Sequence, residues 1–345
     1  MQKNIEKMKK MSKKSWFACV LVLVLGLGLA SFFAPVNKTG ETAYLYIDSD
    51  DTSDSVEVKL SEISRPYGVW AVKAINSIFN LQSSIRPGRY EVSTSTGAFL
   101  LARHIRNGQQ APLRLTIPSV RTVERLAEEL SEKLMMSKAD LMQRFLSNDS
   151  CALYGKDTAT IACLFIPNTY EVYWTISAGD LIEKMQKESK AFWNDERTRK
   201  AKALGLTPDE VITLASIIDE ETANNAEKPM IAGMYYNRLR QGMPLQADPT
   251  VKFALKQFEI KRIYNNMLNV DSPYNTYRNE GLPPGPIRIP SVAGIDAVLN
   301  LVRHDYLYMC AKPDFSGTHN FARTYQEHLQ NAALYSKALN ERNIK

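Results

Sequence analysis

The sequence predicts an α+β protein in three parts: one apolar N-terminal helix, a small α+β module, and a larger α+β domain. Three observations carry this. An uncharged apolar run lies near the start, strand-like and helix-like periods alternate from residue 40 to 110, and amphipathic helices interspersed with β-prone segments follow. With 345 residues, 44% of them hydrophobic, the chain has enough apolar surface to bury more than one core.

The first part begins MQKNIEKMKKMSKKS, and its first fourteen residues hold six lysines against one glutamate. The run WFACVLVLVLGLGLASFFA then covers nineteen residues, Trp16 to Ala34, without a charge. As a helix it reaches about 28 Å, close to the roughly 30 Å hydrocarbon layer of a bilayer. A cleaved signal peptide shares the pattern, but its apolar core usually has only about 7–15 residues, and no small-x-small cleavage site precedes FFAPVNKTG. The reading is therefore a basic cytoplasmic tail over residues 1–14 and an uncleaved single-pass transmembrane helix over 15–35. The lysines stay in the cytoplasm, and everything from residue 36 onward lies outside.

That tail also accounts for the charge. Of a net +6, the first fourteen residues contribute +5, so the exported remainder is nearly neutral. Binding to nucleic acid through bulk electrostatics is unsupported. Four cysteines are present: Cys19 falls inside the apolar run, and Cys151, Cys163 and Cys310 lack CxxC spacing. Pairing of Cys151 with Cys163 and two buried thiols both remain open. With four histidines and no HExxH, the sequence points to no metal site and no cofactor.

The small module spans residues 36–112. TAYLYID alternates as a strand, AVKAINSIFNLQ repeats as a helix, GRYEVS is a second strand, and GAFLLARHIRNG is a helix closed by Asn107-Gly108. The larger domain spans 113–345. It opens with the strand APLRLTIP and the helices TVERLAEELSEKLM and SKADLMQRFLS, then CLFIPNTYEVYW, whose aromatics suit a core. Residues 178 to 204 read as charged helix.

TPDEVITLASIIDEET carries the strongest helix signal. Thr207 is placed as N-cap, Pro208 at the first helical position, and Glu210 completes a capping box. At 100° per residue the apolar stripe centres on Val211, with Leu214, Ala215 and Ile218 beside it. Glu220 then lies about 180° away, above Thr213 and Ser216, and is expected to face water. Glu221 lies over Ile217 and Ile218, where desolvation raises a carboxyl's pKa as a general acid near neutral pH requires. Asp219 flanks the other edge.

Several blocks then follow in order: ASIIDEET, NRL, LQADPTV, YNTY, GLPPGPI and HNF. Together they resemble the YceG-like (MltG-type) endolytic murein transglycosylases, over residues 40 to 340. The resemblance implies an enzyme that cleaves the glycan between N-acetylmuramic acid and N-acetylglucosamine without water, leaving a 1,6-anhydro end. Its catalytic glutamate is the last acid before the threonine, here Glu221 before Thr222. The chain departs from the family pattern at Asp219, where glutamate is common, and at Glu220, where lysine is common. The exported N-terminal part resembles, more loosely, a LysM-type wall-binding module.

On that basis Asn237 and Arg238 are candidates for holding the acetamido or peptide part of the substrate, and Gln246 and Asp248 for hydrogen-bonding its hydroxyls. Asp248 also reads as the N-cap of PTVKFAL. Tyr274, Asn275, Thr276 and Tyr277 are expected to form a groove wall, His319 to be a satisfied structural histidine, and Glu227 to sit in a helix's first turn. The expected partners are peptidoglycan strands and cell-wall synthesis proteins, and the location is the cell (inner) membrane with the catalytic domain on its outer side. Two alternatives remain: a muramidase-like hydrolase with Asp219 or Asp248 as base, and a non-catalytic wall-binding scaffold.

Overall fold

The computed structural model describes residues 13–78, 85–260 and 263–342. Its first helix, α1 (Lys13–Phe33), contains Ser15–Phe33, with mean hydropathy 2.4 and none of it buried. By length and composition this helix can cross a membrane. The remainder of the basic tail, residues 1–12, lies outside the described residues.

The chain divides into two compact units. The first runs to Arg114 and includes Glu171–Ile176. In it β1 (Ala43–Ile47), α2 (Ser53–Ile63), α3 (Pro66–Ile78), β2 (Gly88–Val92) and α4 (Ala98–Asn107) follow in order. The two strands pair antiparallel, Ala43 opposite Val92 and Ile47 opposite Gly88. Their period of two turns Leu45, Ile47, Tyr90 and Val92 to one face. That face is covered by Val56 and Leu60 of α2, Val72 and Ile75 of α3, and Leu101 and Ile105 of α4. Gly108, at φ +66°, ends α4 in the left-handed region where a glycine costs least.

Helix α2 is absent from the sequence reading. It buries only Val56 and Leu60, and its capping box joins Thr52 to Ser55 instead of a glutamate, so neither signal stands out. Residues 79–82, the expected end of the following helix, lie outside the described residues.

The second unit comprises Leu115–Tyr170 and Ser177–Lys345. The elements continue with β3 (Leu113–Thr116), α5 (Val123–Ser131), α6 (Lys138–Phe145), α7 (Asn148–Ala152), β4 (Thr169–Val172), α8 (Ala178–Phe192) and α9 (Asp195–Ala203). Then come α10 (Pro208–Glu221), α11 (Lys228–Arg240), α12 (Asp248–Leu255), α13 (Val292–Leu299), the hairpin β5 (Tyr308–Ala311) and β6 (His319–Ala322), and α14 (Tyr325–Glu341). Phe165 and Tyr170 are buried, and Cys151 and Cys163 are buried free thiols.

At the centre lies α10, capped as expected by Thr207 and Glu210. Every residue from Val211 to Ile218 is buried, Thr213 and Ser216 included. Ser216 accepts the Ile287 N–H at 3.0 Å, and its own hydroxyl donates to Thr213 O at 2.7 Å, so even the polar side of the helix is roofed. From Val211 to Ile218 the helix is buried all round, which leaves no water-facing side for the acids that follow. Glu220 accordingly does not face water: its side chain is only 12% exposed, with Arg121 at 2.8 Å and Arg288 at 3.1 Å. Both arginines come from distant segments, which a wheel of α10 alone does not contain.

Asp219 is the junction of three helices. Its carboxylate takes Lys228 Nζ, at the start of α11, at 2.7 Å and the Ser291 N–H, at the start of α13, at 2.5 Å. Both side chains of the ion pair are buried. On α11, Gly233 permits close approach: a Cβ there would stand 2.2 Å from Val302 O. Asp219→Ala should strand the Lys228 charge and cost about 3–5 kcal/mol of stability, read as a lowered denaturation midpoint. A midpoint equal to wild type would remove Asp219 from this role.

Candidate active site

The C-terminal end of α10 opens on a cavity of about 420 Å³ in the second unit. Glu221 lines it, with Tyr235 and Arg238 from α11, Gln246 and Asp248 around the start of α12, and Tyr277. The opposite wall is β5, His319, and Tyr325 and His328 of α14.

Glu221 is the last residue of its helix, and the two residues beneath it, Ile217 and Ile218, are fully buried. Its Oε1 accepts the Tyr235 hydroxyl at 2.5 Å. Burial pushes its carboxyl up to about 7, the Tyr235 hydrogen bond restrains that rise, Asp248 and Glu220 add to it, and Lys252 opposes it. A helix C-terminus carries partial negative charge, a further reason for a carboxyl here to keep its proton.

Arg238 lies one helical turn beyond Tyr235 on the same face of α11. Its guanidinium is buried, donating to Pro244 O and Leu307 O at 2.9 Å each and to Gln246 Oε1 at 2.6 Å. Among the described residues no carboxylate pairs with it. Burial lowers its pKa, yet an arginine starts so high that it remains charged. Gln246 adopts φ +51°, an uncommon conformation for a non-glycine residue, and its N–H bonds Thr276 O at 3.0 Å. That strain presents its side chain to Arg238 and the cavity.

Asp248 is the first residue of α12, and Ala247 occupies the N-cap position expected for it. Its carboxylate accepts the Tyr277 hydroxyl at 2.6 Å instead of capping the helix. Burial, then Asp248, pushes the Tyr277 phenol well up.

The remaining candidates lie behind the walls. Asn237 lies about 100° around α11 from Arg238 and does not line the cavity. The Asn237 amide donates to His304 O at 2.6 Å and Tyr306 O at 3.1 Å. Tyr274 packs on Phe253, ring centroids 4.8 Å apart, and lines a separate hollow with Thr158 and Ala159. Asn275 is fully buried, its amide donating to Leu268 O and Val270 O. Thr276 is buried too, bonded to the Thr250 hydroxyl at 2.8 Å and accepting the Ala247 N–H at 3.0 Å. Arg238, Gln246, Asp248 and Tyr277 thus meet Glu221 at the cavity, whereas Asn237, Tyr274, Asn275 and Thr276 do not.

Other residues reach the cavity without having been singled out. Tyr235 had a usable signal, its spacing of three from Arg238. Tyr308 and His328 stack with centroids 5.4 Å apart, a pairing made only when the hairpin and α14 come together. Glu227 is the N-cap residue of α11, but its carboxylate makes no cap bond there. It takes the His319 N–H at 2.6 Å and approaches Nδ1 at 3.1 Å, so His319 is satisfied and also faces the cavity. Among the described residues no cluster of three His, Cys, Asp or Glu side chains suited to a metal occurs.

A family model described as the YceG-like family matches residues 45–334. An endolytic murein transglycosylase of Bacillus subtilis (strain 168) is 36% identical over 166 residues, 48% of this chain and 45% of that protein. One of Streptococcus pneumoniae serotype 2 is 27% identical over 290 residues, 73% of this chain and 51% of that one. The chain therefore spans about half the length of these curated relatives. A solved yceG-like protein from Listeria monocytogenes superposes with TM-score 0.55 and 27% identity, covering 84% of this chain and 98% of that one.

The burial of Glu221 has a direct readout. In a carbon-13 NMR titration its side-chain carboxyl should change state near pH 7, well above the 4.5 of a free glutamate. A midpoint at the free value would mean that the side chain is solvated.

Proposed function

The chain belongs to the YceG-like family, and from that membership and the site we propose that it is an endolytic murein transglycosylase. It cuts the bond between N-acetylmuramic acid and N-acetylglucosamine inside glycan strands. The observation that supports this most is the Glu221 carboxyl, hydrogen-bonded by Tyr235 and pushed up to about 7 by burial, in a cavity it shares with Asp248 and with a buried arginine that no carboxylate pairs among the described residues.

Glu221 donates its proton to the glycosidic oxygen as that oxygen leaves C1. The resulting carboxylate takes the proton of the C6 hydroxyl as O6 bonds to C1, so Glu221 ends as it began and no water is consumed. One carboxyl suffices because the nucleophile belongs to the sugar. Arg238, Gln246, Asp248 and Tyr277 offer donors and acceptors to sugar hydroxyls and to the acetamido or peptide groups. Tyr308 and Tyr325 supply aromatic faces for sugar rings. Asn237, Tyr274, Asn275 and Thr276 act by fixing these walls.

The proposal extends to the rest of the chain. Helix α1 anchors the protein in the cell membrane with its lysines in the cytoplasm, which places the cavity on the wall side. The β1-α2-α3-β2 arrangement is compatible with a LysM-like module that engages the wall. Contacts with cell-wall synthesis proteins belong to the same proposal.

A hydrolase reading has one observation in its favour: Asp248 lines the same cavity as Glu221 and could direct a water. Asp219, the other candidate base, is held by Lys228 and Ser291. Mass analysis of products from purified strands separates the two, since an anhydro end is lighter by one water than a hydrolysed end. Glu221→Gln should lower cleavage by at least about a hundredfold while strand binding persists. Unchanged cleavage in that variant removes Glu221 from the chemistry. Only the protonated acid can donate, so activity should fall as pH rises through about 7, which a pH–rate profile reads.

A further inference from the structure

We infer that Tyr235 is a positioning residue for the Glu221 acid: its buried hydroxyl holds Oε1, so that Oε2 carries the proton delivered to the leaving oxygen. This rests on the assignment of Glu221 as the acid. The geometry is specific. Tyr235 is 2% exposed, it belongs to the same buried core as Ile231 and Ile295, and its hydroxyl stands 2.5 Å from Oε1. Because α11 is fixed at Asp219–Lys228 and at Gly233, the phenol cannot swing away without unpacking that core.

A phenol is the weaker acid of the two, and burial followed by the Glu221 carboxyl pushes this one well up, so it remains a donor throughout. With Oε1 accepting that hydrogen bond, the carboxyl's own proton resides on Oε2. Once Glu221 has given its proton away, the same bond stabilises the carboxylate left behind. The other charged groups acting on Glu221 oppose one another: Asp248 and Glu220 disfavour the charge, and Lys252 favours it. Arg238 and Tyr277 act on the phenol itself. The Tyr235 hydroxyl is the only one of these groups bonded directly to the Glu221 carboxyl among the described residues.

Tyr235→Phe in the 345-residue chain removes one oxygen and leaves the ring in its packing. A hydrogen bond to a charged group corresponds to about one to two pH units in the titration midpoint. The Glu221 midpoint, read by carbon-13 NMR, should therefore rise by at least about one pH unit. In the pH–rate profile the fall in kcat at high pH should move up by the same amount, and kcat on the low-pH plateau should drop about tenfold with KM little changed. A midpoint and profile identical to wild type would reduce Tyr235 to a packing residue. Replacing Tyr235 by 3-fluorotyrosine, which keeps the shape and strengthens the donor, should lower the midpoint; no movement there counts equally against the inference. The titration needs no substrate, so it judges Tyr235 even where a cleavage assay fails the proposed activity.

Discussion

A helix enclosed on every side from Val211 to Ile218 that ends in three consecutive acids must find a partner for each carboxyl. That constraint organises the second unit, because an unpaired buried charge is too costly to persist. Asp219 takes Lys228 and the Ser291 N–H, drawing the starts of α11 and α13 onto the end of α10. Glu220 takes Arg121 and Arg288, which brings in the segment before α5 and the turn after Gly285. Among the described residues Glu221 receives no cation, only the Tyr235 hydroxyl, and it answers burial by keeping its proton. Two acids thus build the fold, and the third is left with a transferable hydrogen.

The cavity repeats the logic with opposite sign. Arg238 is a buried cation satisfied by two backbone carbonyls and the Gln246 amide oxygen. Its charge is solvated but, among the described residues, not neutralised, and Gln246 accepts a strained backbone to take part. An acid that keeps its proton and a cation with no counter-ion among the described residues, on adjoining helices, suit a polar, partly anionic ligand. In the proposed reaction that ligand is a glycan strand with its peptide stems.

Much of this was accessible from residue order. The cap at Thr207, the apolar stripe of α10 and the position of Glu221 over Ile217 and Ile218 are local properties, set by side chains within one helical turn. The substrate-facing candidates were accessible only in part, because blocks such as NRL and YNTY mix residues that face a site with residues that support it. Helix rotation separates Arg238 from Asn237. In YNTY the amide of Asn275 and the hydroxyl of Thr276 satisfy buried backbone and side-chain groups, while Tyr277 turns outward to Asp248.

By itself the sequence determined the apolar N-terminal helix, the mixed α+β composition and the capped helix, and it set Glu221 over Ile217 and Ile218 with Asp219 at the other edge of the apolar stripe; the choice of Glu221 as the acid came from the family resemblance. These follow from composition and short-range periodicity, which act before any distant contact forms. Tertiary packing decided that Glu220 is an anchor, that Tyr235 holds Glu221, that Glu227 serves His319, and that β5 and α14 close the cavity. Each of these joins segments far apart in the chain, and a burial that depends on such partners cannot be read from one helix alone.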